Sequence, residues 1–327
     1  MFFGMKIMDI DQFKARAGTL RRPFHDHYYA MYSSVYGAVV TDPALMTVPV
    51  DDHVVHRGDG VFEAFKSVNG RIYNLDAHLN RLECSAAAIS LPLPHARDKL
   101  RHIIVETVRC GGRPDCLVRL VLSRGSGSYG VNPYDCPEPY IYVTVSRLAP
   151  PFMAVHPEGA RVKSSNVPVK HAFLAVIKNC NYLYNVLMKK EAVDAGVDFS
   201  LAFDADDCMA EGATENMGVV SRAGDLCFPR LDRILAGTTM LRVADLAGGL
   251  VEKQMVRSVQ FRDIPRRELG SMREMVVVGT TFDVAAVVQL DGRPVGDGKP
   301  GPVAAGLLAA LQKDIRENSL MQTPVFG

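Results

Sequence analysis

Pro150 and Pro151 divide this 327-residue chain into two stretches, each alternating strand-like runs with amphipathic helical patterns. Consecutive prolines lack two backbone donors and hold the chain extended, so neither a helix nor a central strand runs through them. A chain of this length exceeds one ordinary core, which makes the break the expected joint between two mixed α/β domains. The expected division is an N-terminal extension at 1–33, a smaller α/β domain at 34–149 and a larger one at 150–327.

In the first stretch "AMYSSVYGAVV" and "ALMTVPV" read as β-rich segments joined by the turn "TDPA". "GVFEAFKSVNGRIYNL" reads as a hairpin turning at Asn69-Gly70. "DAHLNRLECSAAAI" puts Leu79, Leu82 and Ala86 on one helical face with Asp76 as N-cap, and "DKLRHIIVETVRC" is a second helix ended by Gly111-Gly112. "CLVRLVLSRG" and "PYIYVTVSRL" are strands. In the second stretch "NYLYNVLMKKEAVDAG" and "MLRVADLAGG" read as helices, "FSLAFDADDCMAEG" as a hairpin and "EMVVVGTT" as a strand. A last helix, "GPVAAGLLAALQKDIREN", opens at Pro302.

A formal net charge of +1 gives no electrostatic reason to expect nucleic acid or an anionic membrane as partner. Asp9 and Asp11 interrupt the apolar start of the chain, so it does not read as a signal peptide, and no later apolar run is long enough to span a bilayer. The seven cysteines are odd in number, scattered and without a C-x-x-C pair, which indicates neither a disulfide framework nor a zinc site. A reducing, cytoplasmic setting is the expectation. "GSGSYG" at 125–130 satisfies a dinucleotide-binding pattern and follows a strand, but it runs into "VNPYDCPEP", whose prolines forbid the helix that such a fingerprint must open. It is expected to be a loop beside a binding cleft. "HDHYY" has no further metal ligands nearby, so its histidines read as surface residues.

Lys178, in "AVIKNCNYLYN", has two readings. Its stem can pack while the ammonium reaches water. Alternatively, an apolar pocket lowers its pKa and leaves a nucleophilic amine able to form a Schiff base with an aldehyde cofactor. "AEGATEN" follows with Glu211 and Glu215, and then come two Gly-Thr-Thr turns, Gly237-Thr238-Thr239 opening a helix and Gly279-Thr280-Thr281 ending a strand. Free amides and hydroxyls converge at such turns, and a helix N-terminus adds partial positive charge, which suits phosphate. Either turn alone is ordinary. With a buried lysine and a carboxylate they describe pyridoxal 5'-phosphate.

The chain resembles the class IV, or fold type IV, pyridoxal-phosphate enzymes, which include branched-chain and D-amino-acid aminotransferases and aminodeoxychorismate lyases. The carriers are "HRGDGVFEAF", "LDAHLNRLECSAAAI", "IKNCNYL", "AEGATEN", "LAGTT" and "VVGTT", in the family's order from about residue 35 to 315. The resemblance implies two α/β domains with the cofactor in the cleft between them, in a homodimer whose partner loop helps cover the site. It makes Lys178 the cofactor-bearing lysine and proton carrier, and Glu211 the partner of the pyridine nitrogen. It makes Arg81, Gly237, Thr238, Thr239 and Thr280 the phosphate cradle, Leu235 the ring-packing residue and Tyr182 the partner of the ring hydroxyl. Where the family pattern usually has an aromatic residue, this chain has Gly218.

The substrate-side candidates are Phe62, Arg57, Tyr129 and Thr281. The two residues between Lys178 and Asn181 match the shorter spacing of the D-amino-acid and lyase branches, whereas "GVNP" at 130–133 is of branched-chain type. Ala64 stands where the lyases carry a threonine. Arg57 reads either as a substrate-carboxylate ligand or as an ion-pair partner of a residue such as Asp59. The resemblance thus implies a transaminase acting on a branched-chain L- or D-amino acid and a 2-oxo acid such as 2-oxoglutarate. Lyase activity and silent cofactor binding stand as alternatives.

Overall fold

The computed structural model describes residues 5–326. Two sheets organise them. The first is antiparallel and seven-stranded, in the order Gln322–Pro324, Arg71–Tyr73, Gly60–Val68, Cys116–Ser123, Tyr140–Ser146, Tyr28–Ser33, Ala38–Val40. The second is mixed and eight-stranded, running Ser258–Phe261, Asp225–Phe228, Asn216–Val220, Glu274–Gly279, Asp283–Leu290, Ala160–Ser164, Phe199–Leu201, with Arg293–Pro294 paired to Asp283–Leu290.

Period-two alternation decides what the first sheet shows to each side. From Gly60–Val68, Val61 and Phe65 join Val118, Leu120 and Leu122 in a core beneath the helices Leu75–Ala88 and Arg97–Gly111. The intervening Phe62 and Ala64, with Arg119 and Val121 of Cys116–Ser123, face the other way and line a cavity against the second sheet. A one-residue slip of register would exchange the two sets. The register is fixed along eight pairs, from Gly60↔Ser123 to Ser67↔Cys116.

The hairpin turns at Asn69 and Gly70 with φ of 51° and 75°, the paired positive angles of a tight two-residue turn. The helix Arg97–Gly111 ends on Gly112 at φ 64°. Three expectations change. "ALMTVPV" forms a 3₁₀ turn, Pro43–Leu45, followed by irregular chain, because Asp42 caps that turn and Pro49 breaks the run. Asp76 does not cap its helix; Asn74 holds that place in the left-handed region, and Asp76 lies inside, accepting from Arg97 and Arg101. Tyr28–Ser33, within the expected extension, is an inner strand of the first sheet, and among the described residues the helix Ile10–Thr19, capped by Asp9, and the 3₁₀ turn Pro23–His27 precede it.

The space beside Gly218 is filled by the ring of Phe228, which would lie 2.5 Å from an added Cβ. An aromatic side chain is thus supplied from the neighbouring strand. No helix among the described residues is long and apolar enough to cross a membrane.

Candidate active site

A cavity of about 470 Å³ opens between the two sheets. Lys178 reaches it from a segment docked on the edge of Gly60–Val68: Phe62 N–H donates to Lys178 O at 3.0 Å and Cys180 N–H to Gly60 O at 2.9 Å. Asn179 fixes the bend, its amide nitrogen donating to Leu174 O and Ile177 O while its oxygen accepts from Asn181 N–H. The Lys178 Nζ lies 3.5 Å from Tyr182 Oη and 4.7 Å from the centre of the Phe62 ring. Enclosure, reinforced by the nearby Arg81 cation, lowers its pKa to about 8. Of the two readings of this lysine, the structure has the enclosed amine.

Glu211 sits in a small pocket that shares Lys178, Tyr182, Asn216 and Leu235 with the main cavity. Among the described residues the one donor to its carboxylate is Leu235 N–H at 3.2 Å, and burial raises its pKa to about 7. Lys170, which the sequence reading passed over, places its Nζ 4.6 Å from the centre of the Tyr182 ring and lines the same pocket. Burial lowers the pKa of Lys170 as well.

At the other end the two Gly-Thr-Thr turns meet, Thr239 Oγ1 lying 3.0 Å from Thr280 Oγ1. Gly237 N-caps the nine-residue helix Thr238–Leu246, so free amides of its first turn face the cavity. An added Cβ at Gly237 would stand 1.9 Å from Asn216 Oδ1, and the Asn216 amide in turn donates to Leu235 O at 2.9 Å. Arg81 closes this end. It donates from Nε and Nη2 to Glu63 at 2.8 and 2.7 Å, and from Nη1 to Ala236 O at 3.1 Å. His78, also missed from sequence, connects Glu63 at 2.7 Å to the Thr238 hydroxyl at 3.2 Å.

Phe62 and Thr281 line the cavity; Arg57 and Tyr129 do not. Arg57 is exposed and donates to the carbonyls of His56, Tyr129 and Gly130, while Asp59, its suggested ion-pair partner, is bound instead by Arg124 and His53. Tyr129 is 60% exposed and packs on His56 at 5.1 Å. Arg119 was also missed: it lines the cavity from the strand Cys116–Ser123, and its side chain forms no hydrogen bond or ion pair among the described residues. Its signal in the sequence is only an arginine in an otherwise apolar strand. Cys180 lines the cavity too, but burial pushes its thiol up to about 12, which leaves it unreactive near neutrality. No three metal-ligating side chains cluster among the described residues, and "GSGSYG" is a loop, as the prolines that follow it required.

An enclosed amine, a facing carboxylate and paired phosphate-type turns between two α/β sheet domains define a group-transfer enzyme acting through a phosphorylated carbonyl cofactor. Residues 60–290 match the family Amino-transferase class IV, and the chain belongs to that family. It is 37% identical over 290 residues to "D-amino-acid transaminase, chloroplastic" of Arabidopsis thaliana, covering 88% of this chain and 77% of that protein. It is 28% identical to a putative branched-chain-amino-acid aminotransferase of Methanocaldococcus jannaschii, over 82% of this chain and 91% of the relative. The fold matches a branched-chain aminotransferase from the thermophilic archaeon Thermoproteus uzoniensis, solved with norvaline, at a TM-score of 0.80 and 26% identity, over 91% of this chain and 100% of that one. A 4-amino-4-deoxychorismate lyase from Pseudomonas aeruginosa aligns at a TM-score of 0.73 and 25% identity, over 87% of this chain and 98% of that one.

Proposed function

We propose that this class IV enzyme is a pyridoxal-phosphate transaminase moving an amino group between a branched-chain L- or D-amino acid and a 2-oxo acid such as 2-oxoglutarate. The observation that carries the reading is the position of the enclosed Lys178 amine between Glu211 on one side and the phosphate-type turns with Arg81 on the other. The residues fit the group, because Gly237 leaves the backbone open to close approach where any Cβ would collide with Asn216.

When bound, the cofactor supplies a carbonyl carbon for amines and a ring that draws electrons from the substrate carbon. Arg81 and the amides at Thr238, Thr239 and Thr280 would hold its phosphate, Leu235 would pack on its ring, and Glu211 would hold the proton of the ring nitrogen. Lys178, once a substrate amine takes its place, carries the proton to and from the substrate carbon. In the cofactor-free chain, burial and the Arg81 cation lower the Lys178 pKa to about 8, so part of the amine is proton-free near neutral pH. Tyr182 Oη, 3.5 Å from Nζ, would help hold that amine in place.

Phe62, Ala64 and Val121 give the substrate side an apolar wall, which suits a branched aliphatic side chain, and Arg119 offers a cation for a carboxylate. Arg119 replaces Arg57 as the carboxylate ligand in this reading. Ala64 lies on the wall without a hydroxyl, which favours transamination over the lyase reaction. The exposed apolar side chains Leu183, Val186 and Leu187 on the helix Leu183–Asp194, with Phe173 and Leu174 close by in sequence, suit the surface of a homodimer.

A donor panel of both enantiomers of alanine, leucine, valine and glutamate, assayed with and without 2-oxoglutarate or pyruvate, tests the reading. Turnover that requires an acceptor supports it. Pyruvate release from aminodeoxychorismate without an acceptor would move the protein to the lyases. Borohydride treatment followed by peptide mapping should find the reduced cofactor on Lys178 and not on Lys170, and labelling there without turnover on any donor would leave silent binding.

A further inference from the structure

We propose that Glu63 and His78 are positioning residues for the phosphate end of the site: His78, anchored by Glu63, consumes the proton of the Thr238 hydroxyl, so Thr238 offers a phosphate its backbone N–H and not its side chain. The inference rests on the phosphate reading above and reassigns one of its groups.

Glu63 is fully buried on the helix-facing side of its strand, where Arg81 contacts both of its oxygens and His78 Nδ1 lies 2.7 Å from Oε2. Although burial alone would raise it, Arg81 and His78 hold its carboxyl down at about 2, so it is ionised and can only accept. His78 Nδ1 must then carry a hydrogen. The charges around the imidazole are Glu63 and the Lys66–Asp283 pair on the strand side, Arg81 on its own helix, and Lys178. Burial lowers its pKa; Glu63 pulls the other way, but Arg81 and Lys178 add to the lowering, so the ring is neutral and Nε2 is an acceptor. The donor facing Nε2 is the Thr238 hydroxyl at 3.2 Å, and a hydroxyl has one proton to give. Its remaining lone pairs do not attract an anion. The first-turn amides of Thr238–Leu246 and the guanidinium hydrogens of Arg81 that neither Glu63 nor Ala236 takes are left to meet the phosphate.

Glu63 thereby sets two groups at once: it fixes the Arg81 fork edge-on and fixes the imidazole tautomer that orients Thr238. Neither residue touches the cavity volume itself.

The test is a double-mutant cycle on the full-length chain, with dissociation constants for pyridoxal 5'-phosphate and for inorganic phosphate as readouts. Thr238→Val should weaken both probes by up to about tenfold, the scale of one unpaired buried hydrogen-bonding group, while Thr238→Ser restores wild-type values. In a His78→Phe background Thr238→Val should change binding less than twofold, and His78→Gln serves as the background should the phenylalanine variant not fold. Nitrogen NMR of the imidazole should show hydrogen on Nδ1 and none on Nε2. Equal losses from Thr238→Val in both backgrounds, or hydrogen on Nε2 with or without hydrogen on Nδ1, would overturn the proposal, because the hydroxyl would then be free to bind phosphate directly. A wild-type chain that binds neither probe would overturn the phosphate reading along with it, and is told apart by the absence of any wild-type constant.

Discussion

That Lys178, Glu211 and Arg81 come together around one site was legible in the sequence, because each sits in a short block of the family's order. Glu63, His78 and Arg119 were not, since their roles exist only after distant segments meet: Glu63 and Thr238 are joined through His78 across the two sheets. The environments of Glu211 and Arg81 predict different failures. Arg81→Ala should first raise the cofactor dissociation constant, by about tenfold to a hundredfold, since a charge-assisted contact is worth roughly 1.5–3 kcal/mol. Glu211→Gln should leave the cofactor bound and slow the half-reaction by orders of magnitude, because a neutral partner does not hold the ring proton. Equilibrium dialysis and stopped-flow absorbance separate the two, and equal effects on affinity would contradict these roles. Glu211 also predicts a pH dependence in the cofactor-free protein. Its carboxyl is raised from 4.5 to about 7, so the folded chain binds this proton more tightly than the unfolded chain. Stability from this group is therefore lost as pH rises from 4.5 through 7, by an amount on the order of 3 kcal/mol once fully ionised. Glu211→Gln should raise the cofactor-free Tm at pH 8 and leave it nearly unchanged at pH 4.5; an equal rise at both pH values would show that ionisation is not the cause.

The elements recovered best from sequence are those whose signals are local and unambiguous. Asn69-Gly70 can form only a tight turn, and Gly112 must end its helix. Asp76 was misplaced because an acidic residue near a helix start serves as a cap or as an ion-pair partner with equal propensity, and Arg97 and Arg101 arrive from another helix to decide it. Gly218 could not be understood alone, because the ring that fills its space belongs to Phe228. Gly237 carries the sharpest element-scale prediction. Its φ of −63° is ordinary, so the need for glycine comes from the 1.9 Å approach of Asn216 Oδ1 and not from backbone freedom. Gly237→Ala must push Asn216 off Leu235 O and tilt the first turn of Thr238–Leu246. The expected result is a loss of about 1–3 kcal/mol in stability and a larger proportional loss in cofactor affinity. Gly237→Ala with Asn216→Ala should recover stability but not affinity; thermal unfolding with and without pyridoxal 5'-phosphate reads both.

At the scale of the molecule the two sheets are joined by buried polar contacts that no single stretch of sequence announces. Tyr73 and Arg242 both bind Asp314. Lys66 of the first sheet forms an ion pair with Asp283 of the second, and both of these residues are less than a tenth exposed. The C-terminal strand Gln322–Pro324 returns to pair with Arg71–Tyr73, so the second half of the chain completes the first sheet. The Pro150-Pro151 break gives no sign of this return. Asp283 follows the turn bearing Thr280 and Thr281 and has a φ of 68°. Its anchor therefore bears on the cavity as well as on the seam between the sheets. Lys66→Met keeps the aliphatic stem but leaves a buried carboxylate without its cation, a change that costs about 3–5 kcal/mol in comparable pairs. Adding Asp283→Asn removes the stranded charge, and asparagine tolerates the left-handed backbone there. The double variant should thus be more stable than Lys66→Met alone, although it has lost more of the native ion pair. Thermal unfolding of the three proteins at pH 7 decides the matter: a double variant no more stable than Lys66→Met would mean that the lysine acts through packing, and that the seam is held by shape and not by charge.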